Sequence, residues 1–116
     1  MADYMLLYKG GDPNFMENTT PEQIKEMMEL WGAWFKKLEE SGNLRNSGAA
    51  LGPASAVVTQ GSVTTDQALA EVKELVGGFS IVAAESLEEA AELAKGSPHL
   101  MAPGDVTVDV RPILQM

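Results

Sequence analysis

The clearest candidate for proton transfer in this chain of 116 residues is His99, its only histidine. Histidine is the side chain best suited to exchange protons near neutral pH. His99 follows an expected helix, where the alternative role is that of an ordinary surface or capping residue. Asp66 could orient the imidazole as a general base requires, or it could be a turn or helix-capping residue. The sequence alone does not place these two side chains close together.

Aromatic side chains supply the candidate binding residues. Tyr8, Trp31 and Trp34 could line an apolar cleft between a helix and a sheet, which is a common place for a small ligand. The alternative is that the two tryptophans belong to the core. Arg45 could clamp a ligand carboxylate, unless surface ion pairs occupy it. With one histidine and no cysteine, we expect no metal site and no cofactor.

Composition limits the classes of protein that remain. A net charge of −9, with 8 basic against 17 acidic residues, argues against nucleic-acid binding, which depends on neutralising phosphates. No apolar run approaches the ~20 residues that a membrane span requires, and the first residues lack the pattern of a secretion signal. We therefore expect a cytoplasmic protein without a membrane partner. The length predicts a single domain over residues 1–116.

Hydrophobic periodicity and helix caps predict the elements. Thr20 and Gln23 form a capping box before a long amphipathic helix, and Ser86 with Glu89 forms another. The residues between 43 and 65 predict a hairpin or bent edge strand, and those from 66 to 76 do not distinguish a helix from a connector. The expected order is strand, helix, hairpin, connector, strand, helix and strand, at 4–8, 20–42, 56–65, 66–76, 79–82, 86–96 and 106–110.

This order predicts an α+β fold of the ferredoxin-like type, because strand–helix–strand occurs twice as in a split βαβ arrangement. The sheet is expected to be antiparallel, with both helices on one face. The other face would then be bare, and an extended apolar surface favours association. A two-fold homodimer that packs the two sheet faces together would cover it.

The segment TTDQALAEVKELVGGF resembles the signature of the YCII-related proteins of the DGPF type. The positions that match the signature are Asp66, Glu71, Lys73, Glu74, Gly77, Gly78 and Phe79. The sequences WGAW, SLEEAAELAKGSPHL and VDVRPI are also similar to segments of that family. The resemblance implies a dimeric α/β-barrel of ferredoxin-like protomers. Gln67-Ala68-Leu69 replaces the family's Gly-Pro-Phe turn, and the early histidine of the YCII proteins' His–Asp pair has no counterpart here.

Two functional hypotheses follow. In the first, the protein is a homodimeric α/β-barrel that binds a small organic molecule in a cleft. If it is an enzyme, which the sequence leaves open, His99 carries the proton and Asp66 orients it. In the second, it is a non-catalytic dimerisation or regulatory module, with Trp31 and Trp34 fully packed and no cavity beside them.

Overall fold

The computed structural model describes residues 1–12, 14–65 and 75–116. Asp66 and the rest of the expected connector up to residue 74 lie outside the described residues. The described elements, with a 3₁₀ turn at Pro98–Met101, are β1 (Ala2–Gly10), α1 (Phe15–Asn18), α2 (Pro21–Glu40), β2 (Leu44–Ala50), β3 (Ala56–Thr59), β4 (Ser62–Thr65), β5 (Val76–Ala84), α3 (Leu87–Ala94) and β6 (Val106–Pro112).

The main sheet confirms the predicted fold class. Its strand order is β2-β5-β1-β6, and each neighbouring pair is antiparallel. At the centre, Leu6 of β1 lies opposite Ser80 of β5 on one side and Val110 of β6 on the other. This is the ferredoxin-like arrangement, in which β5 runs between the two strands of the first βαβ unit. No helix among the described residues is long and apolar enough to cross a membrane.

The core lies between the sheet and the helices. Side chains alternate along a strand, and the buried residues of β1 are Tyr4, Leu6 and Tyr8. They pack in one cluster with Trp34 and Leu38 of α2. Burying a large apolar side chain stabilises a fold by about 1.5–3 kcal/mol, so this alternation fixes which face of β1 the helices cover.

Both predicted helix starts are confirmed. The Thr20 hydroxyl accepts a hydrogen bond from the Gln23 backbone at 3.2 Å, and the Gln23 side chain accepts one from the Thr20 backbone at 3.1 Å. At α3, Ser86 Oγ accepts from the Glu89 backbone at 3.1 Å. The Glu89 carboxylate accepts from the backbone of Glu85, one residue earlier than in a standard capping box. These bonds satisfy backbone donors that the first helical turn leaves without partners.

The edge of the sheet differs from the prediction. Residues 56–65 form a hairpin as expected, with Val58 opposite Val63, but β3 and β4 make a separate two-stranded sheet. The edge strand of the main sheet is β2, at 44–50, which the pattern did not predict. Its pairing with β5 shifts register twice, and Gly48 has a positive φ of 78°. These irregularities interrupt the alternation by which a strand is usually detected.

The sheet face away from the helices is here called the open face. By strand alternation its apolar residues are Met5 and Leu7 of β1 and Phe79 and Ile81 of β5, and all four are half-buried. The valines of β6 lie on the other side, where Val108 and Val110 pack against the core together with the partly buried residues Trp31, Phe35, Leu44 and Leu93. The open face is therefore apolar along β1 and β5 and polar along β6.

Candidate ligand-binding site

A cavity of about 570 Å³ lies among α2, the end of β1, the ends of β2 and β5, and the 3₁₀ turn. Small-molecule sites are commonly clefts of about 300–1,000 Å³ with mostly apolar walls and a few polar groups. The large apolar side chains of this wall include Tyr8, Phe15, Met16, Met27, Trp31 and Phe35, and the polar ones are Asp12, Ser47, Ser80 and His99. The cavity thus has the size and composition of a ligand site.

One side of α2 supplies much of the aromatic wall. Met27, Trp31 and Phe35 follow each other at intervals of four residues, which places them on the same helix side. The Trp31 ring meets the edge of the Tyr8 ring at 4.9 Å between centroids, and it lies 5.6 Å from the Phe35 ring. Edge-to-face contacts at such distances hold aromatic rings in defined orientations. The wall is therefore a fixed aromatic surface.

His99 is held at the cavity by two contacts. Its Nε2 lies 2.7 Å from the backbone carbonyl oxygen of Lys9, and its backbone N–H donates to Ser97 Oγ at 3.1 Å. Because a carbonyl oxygen can only accept a hydrogen bond, Nε2 carries a hydrogen. Nδ1 then has the free lone pair in the neutral ring, and it has no partner among the described residues. The imidazole is oriented by one nitrogen and available through the other.

A buried hydrogen-bond chain begins at Tyr8. Its hydroxyl donates to Ser80 Oγ at 2.8 Å, and Ser80 Oγ donates to the Ser47 carbonyl at 2.8 Å. Burial raises the pKa of Tyr8 to about 12, although the bond to Ser80 acts in the opposite direction. The phenol therefore keeps its proton and directs it at Ser80. Towards a ligand, the Tyr8 oxygen can only accept.

Asp12 gives the cavity wall a negative charge. Its carboxylate accepts hydrogen bonds from the Asn18 side chain and the Asn14 backbone, each at 2.8 Å. These bonds, that from Asn18 foremost, lower the pKa of Asp12. The ammonium of Lys9 is turned away to Asp109 on the open face, at 3.1 Å. No lysine or arginine lines the cavity within the described part of the chain.

The structure brings some of the predicted site residues together and separates others. Tyr8, Trp31 and His99 all line the cavity, and the His99 ring lies 5.5 Å from the Tyr8 ring. Trp34 and Arg45 are not among the residues that line it. Asp66 lies outside the described residues, and in the part that is described the Lys9 carbonyl orients His99 Nε2.

The positions of Trp34 and Arg45 have simple physical explanations. Trp34, three residues after Trp31, faces the core and is only 8% exposed. Its indole lies against Gly96, where a Cβ atom would come within 3.0 Å of Nε1. Arg45 reaches across the open face, where its Nε lies 3.1 Å from the carboxylate of Asp3.

Ser80 is the site residue that the sequence reasoning missed. It is fully buried and stands alone as a polar residue in an apolar strand. A buried hydroxyl needs a hydrogen-bond partner, so a serine at a core position of β5 indicates a buried hydrogen bond. The described residues contain no group of three or more histidine and acidic side chains that could hold a metal ion.

The family model of the YCII-related domain matches residues 3–116 of the chain. No curated protein matches the chain. The matched range includes each element that forms the cavity, from β1 to the 3₁₀ turn.

Proposed function

Since the chain belongs to the YCII-related domain family, we propose that it binds a small organic molecule in the cavity beside His99 and acts on it by proton transfer. The observation that carries the proposal is the orientation of one imidazole. Nε2 donates to the Lys9 carbonyl, and Nδ1, at an aromatic cavity, has no partner among the residues that the structure describes. A histidine held in this way is arranged as a general base.

The chemistry follows from the two nitrogens. Nδ1 accepts a proton from an O–H, N–H or acidic C–H group of the ligand, and the ring becomes an imidazolium. The Nε2–H bond to the Lys9 carbonyl then strengthens, because a charged donor makes a stronger hydrogen bond than a neutral one. The same ring returns the proton at a later step, either to another atom of the ligand or to water. Tyr8 positions the ligand through its ring and keeps its own proton on Ser80.

Thermal unfolding with a panel of small metabolites tests the binding part. A ligand at one hundred times its dissociation constant stabilises a protein by about 2.7 kcal/mol. For a domain of this size the midpoint rises by roughly 10 °C or more. We expect a shift in the wild type that is reduced in His99→Ala and retained in Arg45→Ala, the matched control, because Arg45 lies on the open face. Equal shifts in all three proteins, or no shift with any metabolite, would contradict the proposal.

Turnover tests the proton-transfer part. For any metabolite that binds, we expect exchange of a ligand hydrogen with deuterated solvent, followed by NMR. General acid–base catalysis contributes typically 10²–10⁴-fold to a rate, so His99→Gln is expected to slow this exchange by at least about 100-fold. A ligand that binds beside His99 and exchanges no faster than in free solution would leave a binding protein without catalysis.

We also propose that two copies of the chain associate through the open face. The half-buried side chains of Met5, Leu7, Phe79 and Ile81 form its apolar strip, and the ion pairs Lys9–Asp109 and Arg45–Asp3 lie on the same face. A two-fold axis places such a self-complementary surface against itself. The alternative hypothesis, a module that only dimerises, rests on this surface alone. The cavity beside Trp31 favours the first hypothesis.

Sedimentation velocity tests the association. Leu7→Lys and Ile81→Lys each place a charge in the apolar strip, and both variants are expected to be monomers while the wild type is a dimer. Val58→Lys is the matched control, because Val58 is 72% exposed on the hairpin and away from the strip. A monomeric wild type, or dimeric strip variants, would contradict the proposal. Ligand binding by the monomeric variants would show that the site lies within one protomer.

A further inference from the structure

We propose that the cavity selects ring compounds that carry an O–H or N–H donor, and that it excludes carboxylates and phosphates. This inference rests on the proposed function, because it names the ligand class for the same cavity. Three observations carry it: the shape of the walls, the hydrogen-bonding capacity of their side chains, and their charge.

The walls suit a flat ring. Trp31 and Phe35 present aromatic surface from α2, and the Tyr8 ring makes an edge-to-face contact with Trp31. The lining residues from β2 and β5 are mainly small, namely Ser47, Gly48, Ala49, Ala50, Gly77 and Gly78. A planar ligand can therefore lie against main chain and small side chains on the sheet side and against rings on the helix side. Contacts between rings add stabilisation beyond the apolar area that they bury.

The buried and half-buried polar side chains of the wall accept hydrogen bonds from a ligand, whereas the exposed Ser47 hydroxyl can also donate one. Tyr8 uses its only hydrogen on Ser80, and Ser80 uses its own on the Ser47 carbonyl. Neutral His99 uses its ring hydrogen on the Lys9 carbonyl. Among the buried and half-buried polar side chains, the atoms left for a ligand are therefore lone pairs on the Tyr8 oxygen and on His99 Nδ1. A ligand that supplies a donor satisfies them, whereas a ligand with acceptors alone leaves them without partners, which is costly in a buried site.

The charges disfavour anions. Asp12 is the charged carboxylate of the described wall, and it is fully exposed, so it repels an anion at the entrance. The whole chain carries a net charge of −9.

Three ligands of nearly the same shape test the donor requirement and the exclusion of anions separately. 4-Ethylphenol is uncharged and has a donor, 4-ethylanisole is uncharged and has none, and 4-ethylbenzoate is an anion. Binding is measured at pH 7.5 by titrating each compound into ¹⁵N-labelled protein and following the Trp31 indole N–H. We expect the phenol to bind roughly three- to tenfold more tightly than the anisole, the range that one hydrogen bond provides, and at least about tenfold more tightly than the benzoate.

Two variants assign the preferences to residues. His99→Ala is expected to reduce the preference for phenol over anisole to within about twofold. Asp12→Asn is expected to tighten binding of the benzoate severalfold and to change that of the phenol by less than about twofold. A smaller change for the benzoate would remove Asp12 from the selection.

The outcomes distinguish the ligand class from the function. Benzoate that binds as tightly as the phenol at Trp31 would refute the ligand class and leave the cavity as a binding site. Anisole that equals the phenol would refute the donor requirement. If none of the three compounds perturbs Trp31, Tyr8 or His99 at any concentration, the ligand class fails, and the metabolite panel then decides separately whether the proposed function fails with it.

Discussion

The hydrogen-bond chain from Tyr8 through Ser80 to the Ser47 carbonyl predicts that the effect of Tyr8→Phe on the free energy of unfolding depends on Ser80. Tyr8→Phe in the wild type removes one donor, while Ser80 still donates to Ser47. We expect the free energy of unfolding to fall by about 0.5–1.5 kcal/mol, the net contribution of a typical hydrogen bond. Ser80→Ala instead leaves the buried Tyr8 hydroxyl and the Ser47 carbonyl without their partner. That loss is expected to cost about 1–3 kcal/mol.

The double variant separates this account from simple loss of packing. In the Ser80→Ala background the Tyr8 hydroxyl has lost its acceptor, so replacing it with hydrogen removes an unsatisfied group. Tyr8→Phe is therefore expected to be neutral or stabilising there, although it destabilises the wild type. The expected coupling between the two positions is about 1–2 kcal/mol, which is larger than the additivity of independent sites allows.

Urea unfolding of the four proteins measures this coupling, since the slope with denaturant should be the same and only the midpoint should move. Tyr4→Phe in both backgrounds is the matched control. Tyr4 is 7% exposed on the same strand and face, and its hydroxyl makes no hydrogen bond within the described residues. If Tyr8→Phe costs the same with and without Ser80, the Tyr8 proton is not directed at Ser80. The assignment of the Tyr8 oxygen as an acceptor towards ligands would then be refuted.

Three further predictions concern the structure that holds the site. Burial raises the pKa of Tyr8 from 10.0 to about 12, so the unfolded chain loses this proton at a lower pH than the folded one. Between pH 10 and 12 the free energy of unfolding should therefore fall by about 1–2 kcal/mol more in the wild type than in Tyr8→Phe, allowing for water that reaches the cavity. An equal fall in the two proteins, measured by urea unfolding over this pH range, would contradict this. Gly48→Ala should destabilise the fold by at least about 2 kcal/mol, because Gly48 has a positive φ and a Cβ atom there would collide with the Phe79 carbonyl. Gly52 has open space around it, so Gly52→Ala should change the unfolding midpoint little. Thr20→Ala should cost about 1 kcal/mol through loss of the helix cap, and an unchanged midpoint would show that the capping box contributes nothing.

The sequence predicted the elements whose signals are local. The apolar run of β1, the alternation in β6 and the caps at Thr20 and Ser86 depend on neighbouring residues alone, and the structure confirms these elements. The strand β2 was missed because it owes its place to pairing with β5. Its sequence LRNSGAA carries no periodic apolar pattern, and the turn at Gly48 accommodates a carbonyl from the partner strand. Such a strand is specified by non-local contacts, which a sequence pattern does not contain.

The candidate site could be predicted only in part, again because non-local contacts determine which side chains meet. Aromatic content and the single histidine pointed to Tyr8, Trp31 and His99, and the fold brings them to one cavity. The side of α2 on which each aromatic residue lies depends on where the sheet ends, so Trp31 faces the cavity and Trp34 the core. The partner of His99 could not be predicted at all, because it is a backbone carbonyl. Every residue carries such a carbonyl, so only the fold determines which one lies beside the imidazole.

The state of His99 tests the central claim most directly. With one histidine in the chain, its two ring nitrogens can be assigned without ambiguity in a long-range ¹H–¹⁵N spectrum. At a pH where the ring is neutral, we predict a hydrogen on Nε2, a bare Nδ1, and a larger change at Nδ1 than at Nε2 when 4-ethylphenol is added. A hydrogen on Nδ1, or an Nδ1 resonance that stays fixed while the phenol shifts the Trp31 indole, would contradict the claim that His99 presents a base to the ligand.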